Sequence, residues 1–397
     1  MPGTRPPPRG DRPAATHRRP RRALDVDPAT ATAVRESWAL VEPRLPELAT
    51  TFYRLLFEHV PQARTLFPGN LPPQRSRLLP ALVDVLQRVD RPGELVPVLA
   101  QLGRDHRKFG IDAVHYEAVG AALLAALEDQ LGDAWTAELA EAWAGAYSVV
   151  SRTMLAGARA GNGPATWLGR VVDHHRMGWG LALITVQTLE PMPYRAGQYL
   201  SVETPQRPRS WRYLSPANPP RPDGLLQFHV RAVAGGLVSP AMVAHTRVDD
   251  VWRLGTPMGG LHLGVESGRD LLLVAGGTGV APIKAIVNQL AAQGGPCRTH
   301  VFVGGRTWND LYAVPGLTAL AHRSPWLDVV AAVEQNAGEA EHGPVGDVVI
   351  RHGPWTDHDV LVAGPPAMIR ATSTALVAAG THPARIRHDP LLSAYAG

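Results

Sequence analysis

The sequence has a single cysteine, Cys297, which excludes an intramolecular disulfide. It also has no apolar run close to the roughly 20 residues that a membrane-spanning helix needs, so we predict no transmembrane segment. Lysine is nearly absent: Lys108 and Lys284 are the only two, while arginine is abundant. Taken together, the missing disulfides and the missing membrane span predict a cytoplasmic protein.

The positive charge is concentrated at one end of the chain. The formal net charge is +4 at pH 7, but seven arginines against Asp11 put +6 into the first 22 residues, which leaves −2 for the remainder. Such a proline- and arginine-rich segment cannot bury a core, so we predict a disordered basic tail over residues 1–24 and no nucleic-acid partner. The paired arginines at 18–19 and 21–22 resemble an export signal, but no apolar stretch follows them, and we expect no export.

The hydrophobic period changes twice along the 397 residues, which are enough for two or three domains. Apolar residues recur every three or four positions up to about residue 158, which is typical of helices. The period then falls to two, most clearly at Leu226, Phe228 and Val230. After residue 268, buried-type apolar runs alternate with helical stretches. We therefore predict an all-α domain over 25–158, an antiparallel β-barrel over 165–266 and a parallel-sheet α/β domain over 268–397.

One loop in the third domain has the form of a nucleotide-binding turn. The apolar run that starts at Leu271 ends in Gly276, Gly277, Thr278 and Gly279, and a helical pattern restarts at Val280. Glycines at this point let backbone N–H groups approach a pyrophosphate at the N-terminus of the next helix. The spacing is not the full dinucleotide fingerprint, so an ordinary structural glycine turn is the alternative.

The all-α domain contains three histidines, His59, His106 and His115. His59 stands at an expected helix end, whereas His106 continues the apolar face that includes Leu102 and therefore points inward. Taken alone, such a histidine is more often an ordinary core residue than a metal ligand. Its neighbours along the chain decide between the two interpretations.

Five short motifs follow one another in the second and third domains: YRAGQY over 194–199, RYLS over 212–215, GGLVS over 235–239, GGTGVAP over 276–282 and GPPAM over 364–368. In this order they resemble the motifs of the ferredoxin reductase-like flavin and nicotinamide module. The resemblance implies FAD contacts from Tyr194, Arg212, Tyr213, Leu214, Ser215, Val238 and Ser239. It implies NAD(P)H contacts from Gly277, Thr278, Gly279, Val280, Ala281, Pro282, Gly364, Pro365 and Met368. Arg306 is either a contact to a 2′-phosphate or a solvated side chain, so NADH and NADPH both stay open.

Tyr53, Phe67, Gln74, Leu78, His106 and Tyr116 follow one another along the first domain. By this order and spacing the first domain resembles a globin, and the order of the three domains resembles that of the flavohaemoglobins. This resemblance implies haem b as a further cofactor, with His106 as the proximal iron ligand and Tyr116 near it. Phe67 and Leu78 match residues of the haem pocket, while Tyr53 and Gln74 match the distal pair that hydrogen-bonds iron-bound oxygen. The expected activity is conversion of nitric oxide and O2 to nitrate with NAD(P)H, by a monomer that binds only small molecules.

Several departures from the family pattern lie on the electron path. No glutamate occurs between Ala142 and Leu189, where the family keeps an acidic partner of the proximal histidine. Asp105 replaces a lysine, Leu214 replaces the aromatic residue that packs on the flavin, and Leu391 replaces a second one. The alternatives are therefore a gas-binding or redox-sensing protein with low turnover, or a reductase that serves another acceptor such as a quinone or a lipid peroxide product.

Overall fold

The computed structural model describes residues 28–67, 85, 91–178, 180–262, 268–336 and 338–389. The predicted tail over 1–24 and the candidates Gln74, Leu78 and Leu391 lie outside these residues. The predicted fold class is confirmed, because a helical part is followed by an antiparallel sheet and then by a parallel α/β part.

Five α-helices are described in the first part. They are α1 (Pro28–Val41), α2 (Leu45–His59), α3 (Pro92–His106), α4 (Ala113–Leu131) and α5 (Ala137–Ala160). Pro43 and Pro46 divide α1 from α2 as predicted, since a proline inside a helix removes a backbone donor and clashes with the preceding turn. Asp112 caps α4 by accepting a hydrogen bond from the backbone N–H of His115.

Apolar faces of α1, α2, α4 and α5 meet in one core. Its centre holds Trp143, whose indole N–H donates to the Ser37 hydroxyl across 3.0 Å. Trp143 and the other large side chains here are almost fully buried, and their periodic spacing along each helix explains why these faces pack together. The largest fully buried side chains of this core are Phe52, Tyr53, Leu48, Leu56, Leu123, Leu127 and Trp143.

Helix α3, which carries His106, is held against α5 by a glycine contact on each helix. A Cβ on Gly103 would lie 1.9 Å from the carbonyl oxygen of Met154, and one on Gly157 would lie 2.3 Å from that of Ala100. Any side chain at either position would separate the two backbones. The glycines therefore set how deeply the His106 helix sits in the domain.

The second part is an antiparallel sheet of six strands. The strands are β1 (Thr166–Arg176), β2 (Leu181–Thr188), β3 (Leu200–Glu203), β4 (Arg212–Leu214), β5 (Leu225–Arg231) and β6 (Val251–Gly255), in the order β4-β3-β6-β1-β2-β5. A bridge between Pro216, just after β4, and Phe228 on β5 joins the two edges, so the sheet is nearly closed. Inside it, Phe228 and Trp252 stack with ring centres 6.1 Å apart. Helix α6 (Val238–His245) packs against this core.

The third part is a parallel sheet with helices on both faces. Its strands are β7 (Leu271–Gly276), β8 (Thr299–Gly305), β9 (Leu327–Val333), β10 (Glu341–His342), β11 (Asp359–Ala363) and β12 (Ile386–Arg387), in the order β10-β9-β8-β7-β11-β12. Its helices are α7 (Val280–Ala292), α8 (Val314–Ala321), α9 (Val345–Arg351) and α10 (Pro366–Ala378). Separate apolar clusters cover the two faces of the central strands.

Across the residues described, no single helix has the length and apolar character needed to cross a membrane. The segments Leu95–Phe109 and Ala113–Ala134 meet that requirement only as a pair bent by 110°.

Candidate functional site

His106, the predicted iron ligand, is the last residue of α3 and is half-buried. Its Nδ1 lies 2.8 Å from the carbonyl oxygen of Leu102, one turn earlier. Because a carbonyl oxygen only accepts hydrogen bonds, this contact keeps the proton on Nδ1 and leaves a lone pair on Nε2. Burial lowers the pKa of His106 below its ordinary value of 6.5, although the Asp105 charge opposes this, so the ring is neutral at pH 7. A neutral, oriented imidazole fits a haem iron.

The other two histidines of the helical part have structural positions. His59 ends α2, with its Nδ1 2.8 Å from the Leu55 carbonyl oxygen, and its side chain is exposed. His115 lies at the start of α4, with its Nδ1 2.7 Å from the Asp112 carboxylate. Among the described residues no group of three or more His, Cys, Asp or Glu side chains could hold a metal ion. His106 as the proximal iron ligand stays a prediction.

Tyr116, predicted to lie near the proximal histidine, has a buried hydroxyl with no hydrogen-bond partner among the residues described. Burial raises the pKa of this hydroxyl to about 12. The neighbouring α5 side chains are Val150 and Met154, so this part of the helix supplies no carboxylate, in agreement with the missing glutamate. An orphaned buried hydroxyl is costly. The place of Tyr116 near the proximal histidine stays a prediction.

Tyr53, the predicted distal tyrosine, lies on α2 and is 1% exposed. Its ring centre is 5.1 Å from that of Phe52, 5.8 Å from that of Phe57 and 5.6 Å from that of Phe67. The structure thus brings Tyr53 and Phe67 together in an aromatic cluster, in which Tyr53 and Phe52 are buried and Phe57 and Phe67 are half-buried. Gln74 and Leu78 lie outside the described residues, and their roles stay predictions.

The flavin motif RYLS forms β4 and the residue after it. Alternation along the strand sends neighbouring side chains to opposite faces. Leu214 packs on the barrel core, while the Tyr213 hydroxyl lies 2.7 Å from the Asp105 carboxylate of the helical part. Arg212 is half-buried and donates to the Trp211 carbonyl oxygen, and Ser215 is half-buried beside it.

Tyr194, also predicted to contact FAD, has its hydroxyl engaged within the flavin domain. The hydroxyl donates to the Asn218 carbonyl oxygen at 3.0 Å and accepts from the Asn218 side-chain amide at 3.2 Å. Asn218 in turn accepts from the backbone N–H of Gln227 on β5. In the structure, Tyr194 therefore supports the segment between β4 and β5, and its contact with FAD stays a prediction.

A glycine turn precedes the start of α6. Gly235 has φ of 73°, in the left-handed region, and the space where its Cβ would stand is open to 4 Å. Ser239 accepts a hydrogen bond from the backbone N–H of Val233, which closes the turn, and the buried Val238 begins the helix. Open space ahead of a helix N-terminus suits a diphosphate.

The GGTG loop between β7 and α7 repeats this arrangement at the edge of the parallel sheet. Gly277 has φ of 55° and open space at its Cβ position. On the inner side, a Cβ on Gly279 would lie 2.3 Å from the carbonyl oxygen of Ala363, and one on Gly276 would lie 2.3 Å from the Met368 sulfur. The structure thus brings the two predicted nicotinamide motifs into direct contact. Val280, Ala281 and Pro282 begin α7 and are buried.

Arg306 follows β8 with an exposed side chain. The backbone N–H groups of Arg306 and Thr307 both donate to the Asp310 carboxylate at 3.1 Å. A 2′-phosphate contact from the Arg306 guanidinium stays a prediction.

The sequence analysis missed the side chains that join the flavin and nicotinamide parts. Three alternate residues of β5 face the α/β domain: Gln227 accepts from Lys284 at 3.0 Å, His229 pairs with the Tyr312 hydroxyl at 3.0 Å, and Arg231 pairs with Asp310 at 3.0 Å. Burial lowers the pKa of His229 to about 3, so it is neutral here. The period-two pattern marked these residues as one face of a strand, but nothing in it identified the covering domain.

Three family models match the chain in the order of its three parts. Residues 50–154 match the globin family, residues 170–263 match the oxidoreductase FAD-binding domain and residues 273–374 match the oxidoreductase NAD-binding domain.

Relatives that cover two or three of the domains agree with these matches. A flavohemoprotein of Bordetella parapertussis is 30% identical over 294 residues, covering 68% of this chain and 72% of that protein. One of Chromobacterium violaceum is 27% identical over 401 residues, covering 91% and 96%. The solved flavohemoglobin of Malassezia yamatoensis, with bound FAD and heme, has a TM-score of 0.77 and 18% identity, covering 91% of this chain and 98% of that one.

The fold, the three matched domains and the relatives agree on an oxidoreductase that uses haem, FAD and NAD(P)H. His106 fits the haem iron, and the two glycine turns fit FAD and the nicotinamide nucleotide. The chain is a member of the flavohaemoglobin family.

Proposed function

We propose that this protein is a nitric oxide dioxygenase, which converts nitric oxide and O2 to nitrate at the expense of NAD(P)H. The observation that carries the proposal is Tyr53, a hydroxyl-bearing side chain 1% exposed in an aromatic cluster of a globin fused to a flavin and nicotinamide module. When bound, FAD takes hydride from NAD(P)H and passes single electrons on, and the haem iron binds O2.

Residues of the chain would hold and orient these groups. His106 would offer Nε2 to the iron, because its Nδ1 is engaged by the Leu102 carbonyl oxygen. Tyr53 supplies a hydroxyl on a buried side chain among aromatic rings, where a fixed dipole counts for more than in solution. The Gly277 turn, backed by Ala363 and Met368, gives the nucleotide a close approach to backbone N–H groups.

Nitrate measurement with the haem- and FAD-loaded protein tests the proposal. Each nitrate formed from nitric oxide and O2 needs one electron, so one NADH should support two nitrates. Tyr53→Phe removes only the hydroxyl and should lower the nitrate-forming rate by about a hundredfold, while haem content is retained. Tyr312→Phe, which loses a hydroxyl of the α/β domain at its junction with the flavin domain, is the matched control. Absence of nitrate from fully loaded wild-type protein would overturn the proposal.

One observation favours a second candidate, a gas-binding or redox-sensing protein with low turnover. The Tyr116 hydroxyl has no partner among the described residues, and α5 brings apolar side chains to it. Without a carboxylate, His106 is a weaker electron donor to iron, which raises the haem potential. Slow nitrate formation together with tight O2 or nitric oxide binding would support this second function. His106→Ala separates both candidates from a reductase for another acceptor, whose rate would not depend on haem.

A further inference from the structure

A buried charged cluster lies where the proximal helix meets the flavin domain. Asp105 is 3% exposed, and the Lys108 ammonium lies 2.7 and 2.8 Å from its two carboxylate oxygens. Two residues of the flavin domain complete the set: the Ser201 hydroxyl of β3 donates to Oδ1 at 3.1 Å, and the Tyr213 hydroxyl of β4 donates to Oδ2 at 2.7 Å. We call these four residues the Asp105 cluster.

Aromatic rings from both domains enclose the cation of this cluster. The Lys108 ammonium lies 5.1 Å from the ring centre of Phe109, 4.9 Å from that of Trp211 and 5.2 Å from that of Tyr213. Phe109 belongs to the globin, whereas Trp211 and Tyr213 belong to the flavin domain. A cation over ring faces is attracted to them, the more so when it is desolvated. The hydrogen bonds from Ser201 and Tyr213 to Asp105, and the rings of Trp211 and Tyr213 beside Lys108, are therefore in place only when the two domains are docked.

Each half of the Asp105 cluster is next in sequence to residues of a predicted redox site. Asp105 directly precedes His106, and Tyr213 stands between Arg212 and Leu214 in the flavin motif. One turn earlier on α3, Gln101 donates to the Tyr199 hydroxyl, and the Tyr199 ring meets the Tyr213 ring edge to face at 5.3 Å. Hydrogen bonds to a charged group are stronger than neutral ones and more demanding in direction. Among these contacts, the hydrogen bonds that Ser201 and Tyr213 donate to Asp105 are the charge-assisted ones.

We propose that Asp105 is a positioning residue, which fixes the globin on the flavin domain so that the His106 helix and the flavin motif keep one relative orientation. Separation of the domains would break the two hydrogen bonds that Asp105 accepts from the flavin domain and would remove the rings of Trp211 and Tyr213 from Lys108, and the loss of these contacts opposes it. The effect on haem reduction rests on the proposed oxidoreductase function, whereas the docking itself does not.

Hydrogen–deuterium exchange on the holoprotein tests the docking. Tyr213→Phe keeps the ring and removes only the hydroxyl that crosses the interface. We expect amide exchange in the globin segment 101–109 to rise by about tenfold, the scale of losing one hydrogen bond to a charged group. Tyr312→Phe, the matched loss of a hydroxyl at the flavin–nicotinamide junction, should leave that segment at its wild-type rate. Wild-type exchange over 101–109 in Tyr213→Phe would overturn the proposal.

A second variant removes both charges, so that neither remains buried alone. In Asp105→Asn with Lys108→Met, anaerobic mixing with NADH under carbon monoxide should give wild-type flavin reduction followed by haem reduction slowed by about tenfold or more. A generally destabilised protein would lose both rates, and unchanged haem reduction would count against a positioning role. If wild type forms no nitrate while the exchange pattern appears as expected, the proposed function fails and the role of Asp105 stands.

Discussion

Replacing Gly279 with alanine should displace the GGTG loop. A Cβ there would lie 2.3 Å from the carbonyl oxygen of Ala363 and 2.6 Å from the amide nitrogen of Gly364. Carbon contacts are comfortable only from about 3.5 Å, so the backbone would have to move by about 1 Å. Overpacking of this kind costs about 1–3 kcal/mol. We expect Gly279→Ala to lower the free energy of unfolding of the α/β domain by that amount and to raise the KM for NADH.

Two other glycines in the same domain make the prediction specific. A Cβ on Gly276 would meet the Met368 sulfur, also at 2.3 Å, but a flexible thioether can rotate away whereas a backbone carbonyl cannot. Gly276→Ala should therefore cost less than Gly279→Ala. Gly316 is exposed within α8, with no atom within 4 Å of its Cβ position, and alanine there should stabilise the helix by up to about 1 kcal/mol.

Urea unfolding of the three variants, followed by tryptophan fluorescence, gives the order of stabilities. Anaerobic stopped-flow reduction of the flavin over a range of NADH concentrations gives the effect on nucleotide binding. We attribute the need for glycine at position 279 to the close approach of the loop to β11. Equal free energies of unfolding for Gly279→Ala and Gly276→Ala, together with a wild-type dependence of the flavin-reduction rate on NADH concentration, would contradict this explanation.

Two further outcomes are expected. Because the pKa of His229 is lowered to about 3, the unfolded chain takes up a proton below pH about 6.5 that the folded chain refuses, so this residue removes about 1.4 kcal/mol of stability for each pH unit of acidification towards pH 3. His229→Gln should remove about 1.4 kcal/mol of the total fall in unfolding free energy between pH 7.5 and 5.5, because the unfolded histidine titrates within that range, and an equal slope in both proteins would contradict it. Tyr116→Phe removes a buried hydroxyl without a partner among the described residues and should raise the free energy of unfolding of the haem-free protein by about 1 kcal/mol. Tyr147→Phe removes a hydroxyl that donates to the Tyr116 carbonyl oxygen and should lower that free energy. Calorimetry on both variants measures the two changes.

Most of the fold could be predicted from the sequence because its signals are local. The alternation of Leu226, Phe228 and Val230 predicted β5, since one face of that strand fills the barrel. Pro43 and Pro46 predicted the break between α1 and α2, because proline acts on its own turn. The continuous apolar run from Leu271 predicted a central parallel strand, and β7 is buried along its whole length.

The site was predictable only where one segment carries it. His106 could be chosen from three histidines by its helical face, and the GGTG loop by its glycines. The partners of Asp105 could not be found in this way, because Ser201 is 96 and Tyr213 is 108 positions away. Such pairs are created by the docking of one domain on another. Their members look like ordinary polar residues until both surfaces are known.

The two lysines of the chain occupy similar positions in the folded protein. Lys108 and Lys284 are the only lysines of the chain, and each lies at a junction between domains. Lys108 forms an ion pair with the Asp105 carboxylate and is surrounded by three aromatic side chains, and Lys284 donates a hydrogen bond to Gln227 of the neighbouring domain.

An ammonium is a compact point charge with three donors, whereas a guanidinium is a wide planar fork that needs a matching flat partner. Arginine pairs with carboxylates on the open surface, as at Arg54 and Arg170, and Arg231 pairs with Asp310 across the flavin–nicotinamide junction. The two lysines instead place a compact cation against a carboxylate and aromatic rings at one junction and against the Gln227 side chain at the other. Gln227 offers one acceptor oxygen, and both Asp105 oxygens also accept hydrogen bonds from the flavin domain. Neither partner leaves free the flat pair of acceptors that a guanidinium needs, so a compact cation suits both positions.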